Sequence, residues 1–342
     1  MRSFARSIAA KYAVELAPAT QLEAAHAGAS VNYDVTVTNT GFTADNYKLT
    51  TTGAYAATVY DATCTAPLTT TATVAPGDHT DVCVKVTVPT SATDGAQNTT
   101  TVTAASVASP SVSASAALVT QAVTKDWLLV DEDGNNPDVQ KYYMDALNTA
   151  IGSSAYSVWD LAATPKLPQS FLLAYKHVVW FTGSSYPGPI LPYENELKAF
   201  LDGGGHLFMS GQDLLDQAAG TTAFVHDYLH VTWDGTDAQN DKSTATVAGV
   251  AGNSVTNGIG TVPLDQSVLT DAFKGFMDEI TPNGTAQGAF TTDRSTPTAP
   301  VYDALTYSGT YKVMFLAFPA EEYGTAAQKA DLFTRVKTFF VA

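Results

Sequence analysis

Two different apolar rhythms share this chain, and together they restrict what it can fold into. Between residues 12 and 122 apolar and polar residues alternate. In VNYDVTVTN, Val31, Tyr33, Val35 and Val37 fall on one side and Asn32, Asp34, Thr36 and Thr38 on the other. DVCVKVTV repeats the pattern from residue 81, and turn signals such as Asn39-Thr40-Gly41 and Pro76-Gly77-Asp78 separate the runs. Strands of period two with one wet face predict an antiparallel sandwich of ~100 residues. After residue 122 the rhythm changes. WLLV, YSVW, HVVWFTG, HLFMSG and YKVMFLAFP are continuous apolar runs. Helical segments lie between several of them: VQKYYMDALNTAIG, ENELKAFLDGGG and TAAQKADLFTRVKTFF. Strands buried on both faces and alternating with helices predict a mostly parallel α/β sheet of Rossmann type. The expected division is an extension over 1–22, a β-sandwich over 23–122 and an α/β domain over 123–342.

Charge narrows the function classes. Seventeen basic residues against 33 acidic ones give a net charge of −16 over 342 residues. Such a field repels phosphate, which argues against nucleic acid and anionic membrane as partners. No run reaches the ~18 apolar residues of a membrane span. The hydrophobic share of 45% supports sizeable cores. The two cysteines, Cys64 and Cys83, lie in one β-rich stretch. They are either buried thiols or a bridge between neighbouring strands, which needs an oxidising compartment. Abundant Thr, Ala, Gly and Asn with sparse Lys suggest a secreted or extracellular protein and favour the bridge. The first residues, MRSFARSIAAKYAVELAP, carry the charge of a signal peptide without its apolar centre, which suggests a piece of a longer precursor.

The stretches VNYDVTVTNTGFTADNYKLTTTG and VAPGDHTDVCVKVTVPTSATDG resemble the immunoglobulin/fibronectin-III-like sandwiches appended to secreted bacterial hydrolases and peptidases. This resemblance covers most of residues 25–120 and implies a spacer or adhesion module. DWLLVDEDG, FLDGGGHLFMSGQDLLD, FVHDYLHV and FLAFPAEEYG resemble the class I glutamine-amidotransferase-like domain near the C-terminus of secreted subtilisin-like peptidases and related cell-surface proteins. It implies an accessory domain beside a parent peptidase or cell-surface protein. The peptidase hallmarks Asp-Ser/Thr-Gly, His-Gly-Thr and Gly-Thr-Ser-Met are absent from the sequence. Catalytic amidotransferases keep a cysteine after the strand that matches HLFM and a histidine after the last strand. Here those turns read Met209-Ser210-Gly211-Gln212 and Phe318-Pro319-Ala320-Glu321-Glu322.

In an open parallel sheet, ligands bind beyond the carboxyl ends of the strands. This sequence places Asp131, Glu132 and Asp133 there, then Ser184, then Ser210, Gln212 and Asp213, then Glu321. Adjacent hard oxygens beside a glycine suit Ca²⁺, which takes ~6–8 oxygen ligands, so Asp131, Glu132 and Asp133 are candidate metal ligands. A solvated acidic turn is the alternative. Asp234, Asp237 and Asp241 in WDGTDAQNDK form a second candidate loop. Ser210 and Ser184 are candidate nucleophiles and Glu321 a candidate catalytic carboxylate. Gln212, Asp213 and Tyr186 are candidate binding residues, with Trp180 as an apolar wall. His177 and His206 open their strands and belong at the opposite edge. His226 and His230 are four apart but lack the rest of a zinc-protease motif. Two functions stay open: a non-catalytic accessory region for adhesion, substrate recruitment or spacing, and a calcium-dependent hydrolase of esters or lactones.

Overall fold

A computed structural model of the chain describes residues 10–185, 190–212, 214–215, 222–232, 245–268 and 277–342. It divides into two compact units, Met1–Thr124 and Lys125–Ala342.

Among its described residues the first unit holds eight strands: β1 (Val14–Ala17), β2 (Thr20–His26), β3 (Ser30–Asn39), β4 (Tyr47–Thr52), β5 (Ala56–Asp61), β6 (His79–Thr87), β7 (Gln97–Ser106) and β8 (Ser113–Val123). They form two four-stranded sheets, in the orders β1-β3-β6-β5 and β2-β8-β7-β4. All pairings are antiparallel except β2 with β8. Alternation sorts the faces. Tyr33, Val35 and Val37 of β3 and Val82, Val84 and Val86 of β6 meet Leu49, Val102 and Leu118 of the other sheet in one core. Cys64 follows β5 in a turn with φ of 57° and is joined to Cys83 on β6, the neighbour of β5. The bridge closes a loop of 19 residues. Chain-entropy arguments give such a loop about 3 kcal/mol. Urea unfolding of the double variant Cys64→Ala/Cys83→Ala should show a sandwich weakened by that amount. An unchanged midpoint would contradict it.

The second unit departs from the expectation. Its strands are β9 (Trp127–Asp131), β10 (Tyr156–Asp160), β11 (His177–Phe181), β12 (His206–Ser210), β13 (Val231–Thr232), β14 (Thr246–Gly249), β15 (Thr261–Pro263), β16 (Thr281–Pro282), β17 (Gln287–Thr292), β18 (Tyr302–Ser308) and β19 (Lys312–Leu316). Its α-helices among the described residues are α1 (Gln140–Ala150), α2 (Gln169–Leu173), α3 (Glu194–Asp202) and α4 (Ala326–Val341). Nine strands form one sheet, ordered β10-β9-β11-β12-β19-β18-β17-β14-β15. The first five run parallel, and the rest are joined antiparallel. β13 and β16 make a separate two-stranded ribbon.

The expected mostly parallel Rossmann-like, amidotransferase-like domain is therefore wrong: the sheet is mixed, and half of its pairings are antiparallel. The cause is connection length. Parallel neighbours need a crossover of a dozen or more residues, usually a helix. Helices intervene as far as β12, but β18 turns into β19 through Gly309, Thr310 and Tyr311 alone, which forces an antiparallel pair. The antiparallel part packs into the same core as the parallel part. Phe290 and Ala304 join Leu129, Val179, Phe208 and Met314 there, under Tyr143 and Leu147 of α1 and Leu332, Phe333 and Val336 of α4.

Candidate functional site

The carboxyl ends of β9, β11, β12 and β19 converge, as parallel strands require. Asp131 ends β9 and faces Phe181 of β11 in register, and Ser210 of β12 is in register with Phe181 on one side and Leu316 on the other. Three adjacent carboxylates leave β9, and the structure gives each a separate task. Asp131 Oδ2 accepts from Gln140 Nε2 at 2.7 Å, and its Oδ1 from the Asp133 N–H at 3.2 Å. Asp133 takes the N–H groups of Asn135 at 2.6 Å and Val139 at 2.7 Å. Asp138 takes that of Gln140, the first residue of α1. The acidic turn thus closes itself and anchors the start of α1, whose positive end welcomes carboxylates. Glu132 points the other way, as the two-residue period of a strand requires. Its Oε2 accepts the indole N–H of Trp180 at 2.6 Å. Trp180 is accordingly a fully buried hydrogen-bond donor to Glu132 rather than the wall of an open crevice.

Across the sheet, Tyr143 of α1 stacks on Phe181 with ring centroids 4.0 Å apart. Its hydroxyl donates to Glu321 Oε2 at 2.6 Å and lies 3.3 Å from Ser210 Oγ. Ser210 Oγ donates to the Phe318 carbonyl at 2.9 Å and accepts the Ala320 N–H at 2.8 Å. Gly183, with φ of 56°, lets Asp133 approach. A Cβ there would fall 3.0 Å from Asp133 Cβ and 3.6 Å from Glu321 Oε1. Among the described residues Glu321 Oε1 and Thr182 Oγ1 have no hydrogen-bond partner.

Burial dominates the electrostatics. It pushes Asp131 up to about 7, with the Asp133 charge adding to the rise and Gln140 opposing it. It pushes Glu132 up to about 8 against the Trp180 bond, and Glu321 up to about 7 against the Tyr143 bond, with Asp133 raising Glu321 further. Asp133 also rises, through burial first. Near neutral pH this edge holds protons that the free side chains would have released.

As to metals, one oxygen each of Asp131, Asp133 and Asp138 lie within 4.8 Å of one another. Glu132 is not in that group, and all four oxygens of Asp131 and Asp133 already accept N–H bonds. A second grouping, Asp34 with Cys64 and Cys83, offers no thiolates because the sulfurs are bonded to each other.

The remaining candidates fall as follows. Ser184 is buried in the turn after β11, and Gln212 is buried with its N–H on the Gly183 carbonyl at 3.0 Å. Asp213, Tyr186, Asp234, Asp237 and Asp241 lie outside the described residues. His177 and His206 open β11 and β12, at the opposite edge from Ser210. His226 is exposed and paired with Asp227, while His230 stacks on Tyr307 with ring centroids 3.6 Å apart. Sequence reading missed Tyr143 and Gln140 altogether. The hydroxyl of Tyr143 is the hub of the site, yet it lies 67 and 178 positions from its two partners.

No family model matches the chain, and no curated protein matches it. Some solved structures show local likeness. The secreted serine protease VesC from Vibrio cholerae is 17% identical over 32% of this chain and 23% of its own, with a TM-score of 0.23. An MSP-domain-like protein of Caenorhabditis elegans, SSP-19, is 14% identical over 31% of this chain and 97% of its own, with a TM-score of 0.22. The mmIFT52 N-terminal domain is 11% identical over 63% of this chain and 97% of its own, with a TM-score of 0.44. This chain spans less than a quarter of the protease it resembles, and none of the three likenesses assigns it to a family.

Proposed function

We propose that the chain is an accessory, non-peptidase region of a secreted bacterial protein, serving adhesion, substrate recruitment or spacing beside a parent peptidase or cell-surface partner. The observation that supports this most is the engagement of Ser210. A nucleophilic serine needs a base within hydrogen-bond reach and an open face toward substrate. Ser210 is fully buried, and its hydroxyl is committed to the Phe318 carbonyl and the Ala320 N–H. The disulfide fits an oxidising, extracellular setting. No helix among the described residues is long and apolar enough to cross a membrane.

The second reading is a calcium-dependent ester or lactone hydrolase, and the Asp131–Asp133–Asp138 grouping favours it. One experiment separates the two. Purified protein is given a panel of esters and lactones, with about 10 mM Ca²⁺ and then with chelator; that level exceeds the ~10⁻⁴–10⁻³ M of extracellular sites. The accessory reading expects no turnover above buffer and no shift in melting temperature with calcium. The hydrolase reading expects chelator-sensitive turnover. It also expects stabilisation by RT ln(1 + [L]/Kd), about 2.7 kcal/mol at a hundredfold excess, which Asp131→Asn/Asp133→Asn erases.

A further inference from the structure

The antiparallel half of the second unit carries a basin with no charged side chain among the described residues that line it. It lies where the loop after β14 meets β16, β17 and β18, holds about 500 Å³ and opens to solvent. Its floor is fixed. Asn253 Nδ2 donates to the Gly288 carbonyl at 3.1 Å and to Thr306 Oγ1 at 2.8 Å, while its Oδ1 accepts the N–H groups of Val255 and Thr256. The Tyr302 ring lies against Gly288 so closely that a Cβ there would stand 2.2 Å from it. This glycine is what lets the ring lie down. On the walls, Thr281 and Gln287 are exposed, with no side-chain hydrogen bond among the described residues. On the rim, Gly252 has φ of 83° and open space where a side chain would begin.

Chemistry selects the ligand. Charged residues make up 15% of this chain, yet none of the ten described lining residues carries a charge. An ionic ligand would lose hydration and find no counter-charge. An apolar ligand would cover amide, hydroxyl and backbone groups without pairing them. A neutral sugar ring meets both demands. Its hydroxyls exchange hydrogen bonds with the exposed Gln287 amide and Thr281 hydroxyl, which both donate and accept, and its C–H face packs on a tyrosine ring. The basin is too open to enclose a small molecule, because enclosed sites bury roughly 70–90% of their ligand. It suits a short stretch of a longer chain lying across it.

We propose that this basin binds an uncharged polysaccharide, holding about one or two of its sugar units. The proposal rests on the recruiting role above and gives it a ligand class. It shares no residue with the carboxylate edge, so turnover of esters would overturn the accessory reading and leave the basin untouched.

The test is an NMR titration of the isotope-labelled full chain with four neutral hexasaccharides: cellohexaose, maltohexaose, xylohexaose and chitohexaose. Hexagalacturonate is the charged control. At least one neutral probe should give saturable shifts at Gly252, Asn253, Gln287 and Gly288, with affinity in the range of roughly 10⁻⁴–10⁻³ M expected of a small open contact. Gln287→Arg, at an exposed position with no side-chain bond to lose, should weaken that binding by about tenfold or more. Tyr302→Ala should weaken it similarly, and where that variant unfolds, Gln287→Arg alone decides. No saturable shift with any neutral probe, shifts away from the basin, equal binding by Gln287→Arg, or preferential binding of hexagalacturonate would each overturn the proposal.

Discussion

Replacing Glu132 with Gln should stabilise the second unit by several kcal/mol at pH 9 and hardly at all at pH 4. Burial lifts the Glu132 carboxyl from 4.5 to about 8. The folded chain therefore keeps a proton that the unfolded chain releases above pH 4.5. The sign follows. Stability from this group is full below pH 4.5, falls as pH rises toward about 8, and stays low beyond it. At 1.36 kcal/mol per pH unit the loss amounts to about 5 kcal/mol, an upper bound to one significant figure. Gln is neutral throughout and its carbonyl still accepts the Trp180 N–H, so the variant escapes the loss. Asp131 and Glu321 add to the decline in both proteins, because their carboxyls are raised to about 7. Asp303, buried on β18, is raised to about 8 by burial and behaves as Glu132 does. Urea midpoints from pH 4 to 9 measure the difference. Parallel curves for wild type and variant would mean that Glu132 is not held protonated.

The opposite edge of the sheet should fail in acid. Trp127, His177, His206 and Lys312 are the first residues of four adjacent parallel strands and stand in one register row. Phe340 of α4 covers the two imidazoles, with centroids 5.8 Å from His177 and 5.3 Å from His206. Neither Nδ1 has a partner among the described residues. Burial lowers His177 to about 4, and the His206, Lys176 and Lys312 charges add to this while Asp126 opposes it. His206 is lowered as well, by burial and by Lys312. Below pH 6.5 the unfolded chain takes a proton that the folded chain refuses. Stability is full above 6.5 and declines as pH falls toward 4, by about 3 kcal/mol for His177. His177→Phe keeps a flat ring against Trp127 and Phe340 and removes the titration. Between pH 6.5 and 4 its melting temperature should fall less than that of the wild type, keeping only the His206 share of the decline. Equal acid sensitivity in both would contradict this.

The parallel half of the sheet was legible because its strands are continuous apolar runs separated by amphipathic helices. The antiparallel half was not. β14 and β15 have four and three residues, too few for a period to show. Glycines that look like plain turn signals there allow close approach instead, as Gly288 does for Tyr302. At the site, position along the chain located Asp131, Ser210 and Glu321 at one edge, because parallel strands deliver their ends together. Their tasks could not be read so. Asp133 and Glu132 are neighbours in sequence, yet one anchors a helix start and the other meets an indole on the far face. Three acids in a row do not reveal which of their oxygens accept N–H bonds.

In the accessory reading, Ser210 holds the turn after β19 and does not act as a nucleophile. Labelling with a fluorophosphonate ester, followed by peptide mass spectrometry, tests it most directly. The protein is treated with calcium and with chelator, beside a Ser210→Ala variant. No phosphonylated Ser210 or Ser184 is expected in either condition. A calcium-dependent adduct on Ser210, absent from the variant, would contradict it and install the hydrolase reading in its place.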